Sequence, residues 1–225
     1  MEHLTTGAPP ITVQLRRNGR ARGFTLRVSS VDSRATLTCP SAAPIREAQR
    51  FLDSRADWLA EARARAPQPI RVEEGTVLPV EGRMHRLVLG DPSTPGVLAL
   101  PGPRARLPAQ ARAHLTLLAR QRLSDAVARY AARIGRTPAR LTLRDPRSRW
   151  GSCTGRGNLM FSWRLIMAPP EVLDYVAAHE VAHLSEMNHG PRFWALLERL
   201  SPDHGAERRW LREEGAALHR YRFGD

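Results

Sequence analysis

Lysine is absent from this chain of 225 residues, cysteine occurs twice, and no apolar run approaches the length of a membrane span. Each absence excludes something. Two thiols, Cys39 and Cys153, cannot form a disulfide framework or a cysteine-based zinc ribbon. Both are expected to be free thiols in a reducing compartment, with Cys153 packed rather than catalytic. The first residues, Met1-Glu2-His3-Leu4-Thr5-Thr6-Gly7, carry neither the basic nor the apolar stretch of a secretory leader. A soluble, cytoplasmic protein with no membrane partner is the expectation.

All 35 basic residues are therefore arginine, set against 22 acids, for a formal charge of +13. An alanine-rich, all-arginine chain follows from a GC-rich coding sequence, so the choice of Arg over Lys says little about function. The distribution says more. Residues 104–164 hold fourteen arginines against Asp125 and Asp145, a net +12, whereas residues 1–103 net +4 and residues 165–225 net −3. A belt running from Arg104 to Arg164 can attract nucleic acid, nucleotides or acidic protein surfaces. A solvated helix face with arginines at strand ends would give the same count.

What the chain does contain is His179-Glu180-Val181-Ala182-His183, followed by His189. Residues four apart on a helix point the same way, so His179 and His183 can grip one ion from one face. Glu180 then lies within reach of a water on that ion, which is the mechanical content of the H-E-x-x-H signature. His189 is far enough along to leave the helix, turn and return as a third ligand. Three protein ligands with one open position describe a catalytic zinc site, one ion per chain. Ala168-Pro169-Pro170-Glu171 reads as the start of that helix, and Val172, Val176, His179 and His183 fall on one stripe of it. Asn188 and Gly190 flank His189 as turn formers. An amphipathic core helix with buried, hydrogen-bonded histidines is the bland counterpart.

The rest of the pattern predicts an α+β protein in two parts. Residues 1–103 read as β-rich with one helix: strands over 12–15, 24–28 and 35–38, a helix over 41–66, and a hairpin of 77–80 with 85–89. The stretch 90–108, rich in Pro and Gly, reads as the linker. Residues 104–225 read as a long amphipathic helix over 109–135 and strands over 140–143, 147–150 and 159–165. The metal helix, a helix over 191–200 and a last helix over 201–220 complete it.

Several segments occur in the order of a known family. Arg149-Trp150-Gly151-Ser152-Cys153, Asn158, Trp163-Arg164-Leu165, Ala168-Pro169-Pro170 and Tyr175-Val176 precede the His179–Leu184 stretch, Asn188-His189 and Phe193-Trp194. Over roughly residues 140–205 the chain resembles the YgjP-like metallopeptidases, relatives of the SprT and WLM-type zinc proteases with a minigluzincin-like core. The resemblance implies a zinc-dependent peptidase acting on peptides or proteins. His179, His183 and His189 would bind the metal, with Glu180 as the catalytic carboxylate. Gly190 stands where the family usually has Ser. Metzincins share the ligand spacing but need Gly where this chain has Glu186, and a Met-containing turn after the third ligand, where it has none.

Arg149, Arg164 and Tyr175 are expected as candidates for stabilising the oxyanion, Asn158 as a further substrate contact, and the 158–165 strand as an edge that adds a peptide. Two other functions fit the same residues. One is a zinc hydrolase of nucleotide phosphoanhydrides, using the arginine belt as a phosphate clamp. The other is a basic nucleic-acid-binding protein whose histidines hold a structural metal.

Overall fold

The structure, a computed structural model, describes residues 2–29, 34–65, 68–91 and 94–224. They form a mixed α+β protein in two compact units, residues 1–69 and residues 70–225. The expected boundary at 103/104 is not where the chain divides. Val72, Leu78, Val80, Leu87 and Leu100 are buried in the same core as the helix that carries His179, so the strands between 70 and 100 belong to the second unit.

The first unit carries β1 (Glu2–Thr6), β2 (Ile11–Asn18), β3 (Thr25–Val28) and β4 (Ala35–Pro40) in one sheet of order β1-β2-β4-β3. Alternating burial puts Val13, Leu15, Leu37 and Cys39 on the inner face, the pattern of a half-solvated sheet. They pack with Ala48, Leu52 and Leu59 of α1 (Ile45–Asp53) and α2 (Ala56–Arg65). The single helix expected over 41–66 is thus two, and Ala66 lies outside the described residues. The break falls at Ser54, whose hydroxyl donates back to the Phe51 carbonyl at 2.8 Å, a side-chain bond that competes with the helical ladder.

The second unit begins with β5 (Ile70–Arg71), then the antiparallel hairpin of β6 (Val77–Val80) and β7 (Arg83–Leu89), to which β8 (Val97–Leu100) adds in parallel. The expected 90–108 linker therefore contains a strand, its apolar run masked in the sequence by the flanking Pro and Gly. A single 3-10 turn leads into α3 (Leu107–Arg133). Leu107, Ala111, Leu115, Ala119 and Leu123 recur every four residues and are fully buried, so α3 presents one apolar stripe to the core.

β9 (Arg140–Arg144), β10 (Gly151–Cys153) and β11 (Asn158–Ser162) make a small sheet of order β10-β11-β9. The expected strand over 147–150 lies one step later, in β10. The third strand ends at Ser162 rather than 165, because the Ser162 hydroxyl accepts from the Arg164 N–H at 3.4 Å and opens a 3-10 turn over Trp163–Met167. All five residues of that turn are buried, which is why they imitate a strand in sequence. α4 (Pro170–Ala182) follows, then α5 (Pro191–Leu200) and α6 (Gly205–Glu213). A 3-10 turn over Gly215–Arg220 and β12 (Tyr221–Arg222), paired with β5, close the unit. The last helix is shorter than the expected 201–220. Among the described residues no helix is long and apolar enough to cross a membrane.

Candidate metal centre

Pro170 in the first helical turn and Glu171 near the positive end of the dipole start α4 where the sequence places it. The helix is buried nearly all round: Val172, Leu173, Val176, Ala177, Ala178, Val181 and Ala182 are all core residues. Its register is therefore set by packing, and its last turn delivers His179 and His183 to one place, with Glu180 next to His179 in sequence. His183 ends the helix, and its Nδ1–H donates to the Glu186 carbonyl at 2.9 Å. That bond leaves Nε2 of His183 free to bind a metal ion.

The chain then turns through Asn188, whose carbonyl accepts from the Gly190 N–H at 2.7 Å, and α5 begins at Pro191. The turn brings His189 back. One ligand atom from each of His179, His183 and His189 lies within 4.8 Å of the others, and the Nε2 atoms of His179 and His189 are 3.1 Å apart. Two imidazole lone pairs that close repel unless they share a proton or a cation. Burial holds His179 down to about 4, helped by the neighbouring His183 and His189, and also lowers His183. At neutral pH both rings are then in the uncharged form that binds a metal. The donor set and its spacing fit a zinc ion.

Beneath the three rings lies Phe193 of α5, fully buried, with its centroid 5.0, 4.5 and 4.6 Å from His179, His183 and His189. Trp194 donates its Nε1–H to the His189 carbonyl at 3.0 Å and so pins the turn. These two aromatics hold His189 in place without a methionine turn. On the other side of α4, the buried Glu180 rests against β10: a Cβ on Gly151 would come within 2.5 Å of its Oε1. Burial pushes Glu180 up to about 7, against the pull of the nearby Arg149 charge. A carboxyl poised there can take and return a proton at neutral pH.

The remaining expected residues separate. Arg149 is exposed and its charge reaches Glu180. Tyr175 is buried, edge-on to His179 at 6.0 Å and stacked on His204 at 5.3 Å. Asn158 donates to the Thr154 hydroxyl and holds the β10–β11 turn. Arg164 is 4% exposed and structural. Its guanidinium binds both oxygens of Asp145 at 2.7 and 3.1 Å and the carbonyls of Leu218 and Tyr221 at 2.8 and 3.2 Å. Buried and engaged in this way, it is removed from substrate. Arg164→Ala is expected to cost on the order of 3 kcal/mol, because it strands Asp145 and two carbonyls. Urea unfolding would check this, and a loss below about 1 kcal/mol would contradict it.

β11 is the middle strand of its sheet, so it cannot be the edge that adds a peptide. β10 occupies that edge instead. The half-buried Cys153 thiol is pushed up by burial and by Glu180, and donates weakly to the Thr154 carbonyl, so it stays protonated rather than acting as a nucleophile. A cleft of about 820 Å³ lies at the other end of α4, between Arg83, Arg122, Arg129, Glu171 and Asp174. The three histidines lie at the opposite end of α4 from that cleft. Gly151 and Phe193 enter the sequence reading only within family-like segments and His204 and Arg208 not at all, so their places here emerge only in three dimensions.

Three clustered imidazoles, with a buried carboxyl next to one of them in sequence, make a set of side chains that could hold a metal ion. The family model of the YgjP-like metallopeptidase domain matches residues 22–214. The chain belongs to the YgjP-like family. No curated protein and no solved structure matches it.

Proposed function

We propose that this protein is a zinc-dependent metallopeptidase that cleaves peptide bonds. The observation that carries the reading is the convergence of His179, His183 and His189 within 4.8 Å, with Glu180 buried alongside against Gly151. When bound there, zinc would polarise the scissile carbonyl and acidify a water. Glu180 would accept a proton from the attacking water and return it to the leaving amine. β10 has no strand partner on its outer side among the described residues, and its backbone N–H and C=O groups hold the substrate in extended form. Phe193 and Trp194 keep His189 in place through the cycle.

Part of the arginine belt is already engaged, which weakens the nucleotide reading. Arg122 pairs with Glu81, Arg129 with Asp174 and Arg164 with Asp145, while Arg133 binds the Leu200 carbonyl.

Metal content by plasma mass spectrometry, on wild type beside His189→Ala, tests the proposal. About one zinc per wild-type chain is expected, with loss or strong weakening in the folded variant. No stoichiometric metal in wild type after zinc reconstitution would overturn it.

A further inference from the structure

α6 packs against α4 and contributes a wall to the metal centre that the reading above leaves unused. His204, at the start of α6, is buried, donates its Nδ1–H to the Ser201 carbonyl at 2.9 Å, and stacks on Tyr175. Its other neighbour is Trp194, nearly parallel at 8° and 6.4 Å away. One turn later on α6, the Arg208 guanidinium lies over the Trp194 ring, 4.9 Å from its centroid. Trp194 in turn is 5.7 Å from the His189 ring. Tyr175, His204, Trp194 and Arg208 thus form a continuous stack bordering His179 and His189.

Arg208 is exposed and has no ion-pair partner among the described residues. Arg192, on α5, is by contrast paired with Glu186. An uncompensated guanidinium beside a site built for a divalent cation is electrostatically unfavourable until an anion comes between them. Stacking on Trp194 fixes the planar fork in advance, which reduces the ordering cost of binding an oxygen anion.

We propose that Arg208, laid over Trp194 at the rim of the three-histidine site, is the substrate-binding cation that receives a negatively charged substrate oxygen. That oxygen is either the carbonyl oxygen as water adds to it or the terminal carboxylate of the peptide. The inference rests on the peptidase reading above.

The test uses zinc-loaded full-length wild type, Arg208→Gln and Arg208→Lys. Each is assayed on quenched peptides with free or amidated carboxyl ends, and titrated calorimetrically with a phosphinic peptide, whose tetrahedral anion mimics the charged oxygen. Arg208→Gln is expected to lower kcat/KM about 10²-fold and to weaken phosphinate binding at least about tenfold, with zinc content and melting temperature unchanged. Arg208→Lys should restore part of both. Equal loss on the two peptides assigns the charge to the carbonyl oxygen; loss confined to free acids assigns it to the terminal carboxylate. Wild-type cleavage and phosphinate binding by Arg208→Gln would overturn this inference alone. A wild type that binds no zinc would remove the peptidase reading and this inference together.

Discussion

Glu180→Gln is expected to keep its metal and lose about 10²–10⁴-fold in kcat. Glutamine preserves the shape that fits against Gly151 but has no basic carboxylate, so water is no longer deprotonated in place. Zinc content and peptide cleavage, measured on the same preparation, check both halves; a fully active variant would sink the assignment. The same pair of proteins reports the burial of the carboxyl. Burial raises Glu180 from 4.5 to about 7. The sign follows from linkage: a carboxyl raised in the folded state contributes stability below about 4.5, and that contribution is lost as pH rises through about 7. Metal-free wild type should therefore lose roughly 3 kcal/mol relative to Glu180→Gln across that window. Urea unfolding at pH 5 and pH 8 measures it, and parallel profiles would mean that the carboxyl is solvated.

Gly151→Ala is expected to lower kcat about 10²-fold while leaving zinc bound. A methyl at that position would lie 2.5 Å from Oε1, 2.6 Å from Cγ and 2.8 Å from Cδ of Glu180, all well inside van der Waals contact. Glu180 is buried and packed, so either the carboxylate swings away from the metal side or β10 shifts outward. Both displace the proton acceptor, and a shift of about 1 Å is enough for such a loss. Gly151 sits in a strand with no left-handed backbone angle, so alanine costs little in conformation and the effect is steric. Unchanged turnover in Gly151→Ala would show that Glu180 has room to spare.

The three-histidine cluster was legible in sequence because its geometry is local. Helical spacing puts His179 and His183 on one face, and the turn around Asn188 and Gly190 returns His189 within a few residues. The amphipathic period of α3, the start of α4 and the 77–89 hairpin were legible for the same reason. Arg164 was misjudged because its position in the sequence beside a strand says nothing of Asp145, Leu218 and Tyr221, which reach it from distant segments. The Trp163–Leu165 alternation misled because every residue there is buried, so polarity no longer marks a face.

By itself, then, the sequence determined the three-histidine cluster, the carboxyl beside it in sequence and the helix that carries them, since each follows from backbone periods of a few residues. Tertiary structure alone decided the rest. It placed β10 rather than β11 at the sheet edge, set Phe193 under the three rings and closed Gly151 onto Glu180. It also brought Arg208 over Trp194 and put the unit boundary at residue 69. These depend on which apolar faces bury against each other across long stretches of chain, and the hydrophobic effect that drives such burial has no direction to read from local order.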